Sequence, residues 1–220
     1  MKRWISMSCA LSMIIAAPRA RAERDEAATN ASEADKPFTP KIVADVRFAG
    51  LFRANDGYFS QAHTFGYPVS SSAPGVEVTI GVEIVPRLTL AAGGGYFGSG
   101  ATRRFARLML TSESLELMAR YAPLRWESDS LMVEVAAVLG GGRYWIRETY
   151  SDPSLFADTF TASDASMGAF GGVDASVHLA GVRFVLGYAY HYAPASIQNE
   201  IGGVARAGGH VIDVGFGARF

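Results

Sequence analysis

Four histidines are the first candidates for chemistry in this chain, and their spacing decides what they can do. His63, His178, His191 and His210 are too far apart to form a ligand pattern such as H-x-x-x-H, and the only cysteine, Cys9, stands far from all of them. No metal site and no cofactor are expected. His191, with Ser196 and Glu200 nearby, has the residue types of an acyl-ester hydrolase. A serine nucleophile needs its base within hydrogen-bond reach, and this spacing does not supply that reach. Gly93-Gly94-Gly95-Tyr96-Phe97-Gly98 formally fits G-x-G-x-x-G, but Ser99 to Arg104 is polar where an apolar helix should follow, so a dinucleotide fold is excluded. No catalytic or cofactor-binding residue is assigned. The remaining polar side chains have a different order. Asp45, Arg47, Glu77, Glu83, Glu116, Arg120, Glu134, Asp174, Arg183, Asp213 and Arg219 all sit at alternate positions opposite a row of apolar residues.

That alternation requires extended strands, whose side chains point to opposite faces with a period of two. It is plainest in Val76–Val85, where Val76, Val78, Ile80, Val82 and Ile84 oppose Glu77, Thr79, Gly81 and Glu83. It recurs from Lys41, from Leu88 to Tyr96, from Leu131 to Leu139, from Met167 to Val177, from Val182 to Tyr192 and from Gly209 to Phe220. Phe105–Arg120 is rich in helix formers. Its second half alternates as a strand, and its first half, Phe105–Ser114, stays open between helix and strand. Eight strands result. Long polar loops at Asn55–Gly75, Gly98–Arg104, Arg147–Asp164 and Ala193–Gly208 alternate with short connections at Pro86–Arg87, Pro123–Asp129 and Ala180–Gly181.

At the N-terminus, Lys2 and Arg3 precede an apolar run from Trp4 to Ala17 and a small-x-small site at Ala20-Arg21-Ala22, which reads as a secretory signal peptide over residues 1–22. Cys9 lies inside this run and lacks the leucine of a lipid-anchoring box. The leader holds four of the 20 lysines and arginines and none of the 21 acidic residues, so the rest of the chain is acidic and has no basic patch for nucleic acid. Residues 23–40 read as a polar, disordered lead-in on the periplasmic side. Residues 41–220 hold the strands. No apolar stretch after the leader reaches the 18 residues of a transmembrane helix.

Gly209–Phe220 carries the family signature. Ile212, Val214, Phe216, Ala218 and Phe220 form one apolar row that ends on an aromatic residue. Here the chain resembles the bacterial outer-membrane β-barrels, whose closing strand ends in an aromatic residue read by the assembly machinery. The pattern over residues 41–220 is similar to the small eight-stranded type, the OmpA transmembrane domain and OmpX. The resemblance implies an all-β, antiparallel, up-and-down transmembrane barrel in the bacterial outer membrane. It also implies outer-membrane lipids and the barrel-assembly machinery as partners, with Phe216 and Phe220 as the assembly signal. An eight-stranded barrel is wide enough inside only for its own side chains, so the eleven ionisable residues are expected to pair there as a packed polar network. The implied role is non-enzymatic and lies in surface loops or envelope stability, with the surface ligand unknown. The alternative is a small-solute channel resembling the OmpW type. A barrel that deacylates lipid A is disfavoured because Ala193 stands where that family has a serine, two residues after His191. A soluble periplasmic β-barrel would have to bury the row assigned to lipid.

Overall fold

The computed structural model describes residues 38–54, 57–128, 130–152, 159–198 and 203–220. The expected signal peptide and residues 23–37 of the lead-in lie outside them. Residues Pro40–Phe220 form one unit, and eight of its strands close into a barrel in which every neighbouring pair is antiparallel. In chain order these are β1 (Lys41–Phe52), β2 (Ser72–Val85), β3 (Leu88–Arg103), β4 (Ala106–Glu127), β5 (Leu131–Ser151), β6 (Thr159–Leu179), β7 (Val182–Tyr192) and, after two short strands, β10 (Gly209–Arg219). The short strands, β8 (Ser196–Gln198) and β9 (Val204–Arg206), form a separate two-stranded sheet, and Val204 also bridges to Gly57. One helix, α1 (Tyr58–Thr64), follows β1. Among the described residues no helix is long and apolar enough to cross a membrane.

The barrel closes because β10 pairs with β1 from Val43 opposite Arg219 to Phe52 opposite His210. At one end the chain turns tightly at Pro86–Arg87 and Ala180–Gly181, with Arg87 and Ala180 at positive φ. At this turn end Ile42 and Phe220 exchange backbone hydrogen bonds of 3.1 and 2.9 Å. The opposite end, the loop end, carries α1 and the β8–β9 hairpin.

Strand lengths are unequal. β4 has 22 residues and β5 and β6 have 21 each, about twice the 9–11 that a tilted strand needs to cross a bilayer. β1 and β10, with 12 and 11 residues, are close to that minimum. β3–β6 therefore continue past the other four at the loop end. This corrects the loop boundaries read from sequence. Gly98–Arg103 is strand and pairs with Ala106–Thr111 in a hairpin that turns at Arg104–Phe105. Phe105–Ser114 is strand from Ala106 onward. The Asn55–Gly75 segment contains α1 and the start of β2, the Ala193–Gly208 segment contains β8 and β9, and β5 and β6 take up both flanks of Arg147–Asp164.

The same strands obey opposite burial rules at different heights. In the lower part of β4, Leu115 and Leu117 point outward and are exposed while Glu116 and Arg120 point in and are buried. Above Ser114 the pattern inverts: Leu108 and Leu110 are fully buried and Arg107 is exposed. β5 behaves likewise, with Val135 and Leu139 exposed low down and Tyr144 and Ile146 buried higher up. The outer wall thus carries a belt of exposed apolar side chains, among them Val46, Phe48, Val78, Ile80, Val173, Phe184, Leu186, Ile212 and Val214. Tyr96, Tyr188, Tyr190 and Tyr192 border it above, and Tyr121, Trp126 and Phe220 border it below, all exposed. A soluble domain does not present such a surface to water; a lipid-facing wall between two aromatic girdles does. The row that the soluble alternative must bury is on the outside.

Candidate functional site: the barrel interior and its cap

Of the eleven ionisable residues singled out from sequence, Asp45, Arg47, Glu83, Glu116, Arg120, Glu134, Asp174, Arg183 and Asp213 are buried; Glu77 and Arg219 are half-buried. Arg47 on β1 is the hub of the middle layer. Its two terminal nitrogens donate to both oxygens of Asp174 on β6 at 3.2 and 3.0 Å, to Asp213 on β10 at 3.2 Å and to Asp45 at 3.4 Å. Arg183 on β7 donates to Asp45 and lies 4.0 Å from Asp174. The backbone is cleared for this cluster. Gly217 lies across the ladder from Asp45 and Gly187 across from Asp213, and a Cβ at either glycine would collide with the facing carboxylate.

A second layer lies toward the turn end. Arg120 donates to Glu134 at 3.0 Å and to Ser176 at 3.2 Å. Glu83 accepts from the backbone N–H of Arg87 at 2.9 Å, from Arg125 at 2.9 Å and from Arg219. Arg125 also donates to Glu134 at 2.6 Å, and His178 Nε2 lies 3.2 Å from the same carboxylate. Ser176 and His178 alternate on the same face as Asp174 in the sequence, whereas Arg125 is not legible there. Arg125 falls in the segment read as a connection, Pro123–Asp129, where β4 in fact continues to Glu127 through a bulge between Tyr121 and Leu124. That extra residue reverses the faces, turning Arg125 inward and Leu124 and Trp126 outward.

Toward the loop end the layer is poorer in cations. Glu77 and Glu116 face His191, whose Nδ1 is 3.3 Å from Glu116. The His191 ring stacks on Phe170 with centroids 4.8 Å apart and is buried in the barrel. It does not face the outer wall, where a lipid substrate would lie, and Glu200 lies outside the described residues. A cavity of ≈ 60 Å³ remains among these side chains, enough to admit water. Among the described residues no group of three or more His, Cys, Asp or Glu is placed to hold a metal ion.

Above the interior the loop end is closed by an apolar cap. Tyr58, Phe59 and Ala62 of α1, Val69, Ala193, Ala195, Ile197 of β8 and Ala205 of β9 pack against Leu108, Leu110, Tyr144 and Ile146 on the inner face of β4 and β5. The α1 end of this cap is pinned by the Tyr58 hydroxyl, which donates to Glu148 on β5. Burial, and then that bond, push the Tyr58 phenol well above the ordinary tyrosine range, so it remains a donor. Beneath α1, Arg53 donates to Ser112 at 2.9 Å and to Ser99 at 3.5 Å, fastening the end of β1 to β4 and β3. None of this cap was legible as an element, since its parts come from segments read as loops.

No family model matches the sequence, and no curated protein matches it. Solved structures do match. The attachment invasion locus protein Ail of Yersinia pestis, in complex with the heparin analogue sucrose octasulfate, aligns over 83% of this chain and 100% of its own at 11% identity, with a TM-score of 0.55. A major outer membrane protein from Thermus thermophilus aligns over 83% of this chain and 100% of its own at 16% identity, also with a TM-score of 0.55. The chain has the fold of the small eight-stranded outer-membrane β-barrels.

Proposed function

We propose that this chain is an integral protein of the bacterial outer membrane that acts through its exterior, not through its lumen and not by catalysis. The exposed apolar belt between two aromatic girdles supports the location. One observation supports the functional reading: ion pairs bridge the interior from strand to strand, and an apolar cluster lies at the loop end. A conducting pore needs a continuous wet path, and this barrel has charge paired with charge below and a dry cluster above. The polar core is then a scaffold that holds up the projecting β3–β6 sheet. The tight turns, the start of β1 and the end of β10 face the periplasm, and the β3–β4 tip faces outside the cell. That tip exposes Phe105 among Arg103, Arg104 and Arg107, and we assign contact with external molecules to it; the similar Ail structure holds a sulfated sugar analogue. Phe216 and Phe220, both exposed on the outer wall, are the proposed recognition signal for the assembly machinery.

The test is a bilayer recording on protein refolded into lipid vesicles whose gel mobility shifts on boiling, which reports a closed barrel. Silent membranes are expected. Discrete, reproducible openings would replace this reading with the small-solute channel, and recovery of the native protein from the soluble periplasmic fraction would overturn the membrane location.

A further inference from the structure

The outer wall has a cationic notch where the apolar belt ends. On β5, Arg143, Trp145 and Arg147 succeed one another on the outward face, and both arginines are exposed. Arg143 pairs across the ladders with Leu115 on β4 and Met167 on β6, side chains that are 62% and 71% exposed, so its guanidinium emerges at the edge of the lipid-facing belt. Its aromatic neighbour is Trp145, with the guanidinium carbon 5.4 Å from the ring centroid. Neither Arg143 nor Arg147 forms an ion pair with a described carboxylate. Around them lies a groove of ≈ 350 Å³ shared with Thr111, Glu113 and Ser163. Asp164 also borders it, but its two oxygens accept the backbone N–H groups of Ala165 and Ser196, each at 2.8 Å. Elsewhere at this height the wall shows Tyr96, Tyr188, Tyr190 and Tyr192. The positive charge is confined to β5.

A guanidinium at the margin of hydrocarbon is costly unless an anion meets it, and the described protein supplies none in pairing range. What stands beside this wall is lipid. Arg143 lines the groove and stands opposite Leu115 and Met167, and Leu117 and Leu139 continue the exposed belt, so the site suits a molecule with an anionic head above and acyl chains below. The planar fork of arginine matches phosphate, and Trp145 offers a flat face to a sugar ring between the two. We propose, resting on the outer-membrane reading above, that Arg143, Trp145 and Arg147 form a site for the phosphorylated sugar headgroup of an outer-leaflet glycolipid of the lipid A class.

The test uses protein refolded into phosphatidylcholine vesicles containing either phosphorylated lipid A or the same lipid A stripped of its phosphates. Lipid retained through detergent extraction is counted by native mass spectrometry. The wild type should retain the phosphorylated form selectively. Arg143→Gln with Arg147→Gln should weaken that retention about 25-fold, from about fivefold per guanidinium near an anionic surface. Lys41→Gln, exposed at the turn end, should leave it unchanged. Both target side chains are exposed, so the variants should keep the gel shift of the wild type; Arg143→Lys with Arg147→Lys, which keeps the charge and removes the fork, should lie between. Equal retention of both lipids, equal retention by wild type and the double glutamine variant, or an equal loss in Lys41→Gln would overturn the site. Displacement of lipid A by inorganic phosphate at the same concentration would overturn its assignment to a lipid. A wild type without a gel shift in phosphatidylcholine alone would instead sink the barrel reading on which the site depends.

Discussion

Replacing Arg47 with methionine tests the interior most severely. The side chain is 8% exposed and donates to three carboxylates. After the change, Asp45 keeps Arg183, and Asp174 keeps Arg183 at 4.0 Å and Arg120 at 3.5 Å. Asp213 has no other arginine in pairing range among the described residues. Its charge is then stranded in a space with room for little water, which costs about 3–5 kcal/mol when one partner of a buried pair is removed. With a urea dependence of about 2 kcal/mol per molar, the unfolding midpoint of Arg47→Met in vesicles should fall by roughly 2 M. The midpoint is read from the boiling-sensitive gel band across a urea series. Adding Asp213→Asn should recover more than half of the loss, because the stranded charge is gone. A fall below roughly 0.5 M, or no recovery in the double variant, would refute the claim that Arg47 is what makes this cluster of carboxylates tolerable.

Other changes separate the cap, the wall and the closure. Leu110→Ala removes a fully buried side chain from the cap and should destabilise it by about 2–5 kcal/mol; hydrogen exchange should quicken across α1 while the amides of β1 stay protected. Leu117→Arg places a charge in the middle of the exposed belt, where about 2–4 kcal/mol is expected against folding, seen as a lower folded fraction at fixed lipid and urea. Gly217→Val drives side-chain atoms into Asp45 and the Ala44 carbonyl, so β10 cannot dock on β1 and the gel shift should be lost altogether.

The membrane-crossing part was legible in the sequence because lipid outside and a polar packing inside impose one unbroken rule on every second residue. Val182–Tyr192 keeps both expected boundaries, and Val76–Glu83 alternates without a break although β2 begins earlier, at Ser72. Legibility failed where the surroundings change. In β4 the apolar face switches from outside to inside above Ser114, since water replaces lipid on one side and the cap replaces ion pairs on the other. Across that switch Phe105–Ser114 shows neither a clean strand nor a helix, and Gly98–Arg103 has loop composition although it is paired throughout. Arg125 was hidden by a different cause: one bulged residue reverses parity, and no local pattern announces a bulge. The partners of each interior charge were beyond reach, because Arg47 and Asp213 are 166 residues apart in the chain and meet only when the cylinder closes.

That closure has a consequence for how the barrel comes together. The seam between β1 and β10 is a short ladder, from Val43 to Phe52, whereas β5 and β6 are joined from Leu131 to Ser151. Ion pairs from β10 reach over the seam: Asp213 meets Arg47 on β1, and Arg219 meets Glu83 on β2. An open sheet with β10 undocked would leave these charges without their partners beside hydrocarbon. Zipping the last strand therefore neutralises the inside in the same step that completes the hydrogen bonds, and a half-zipped cylinder is penalised twice. The ion pairs act as a clasp, so that this barrel is expected to pass from open to shut without a stable intermediate.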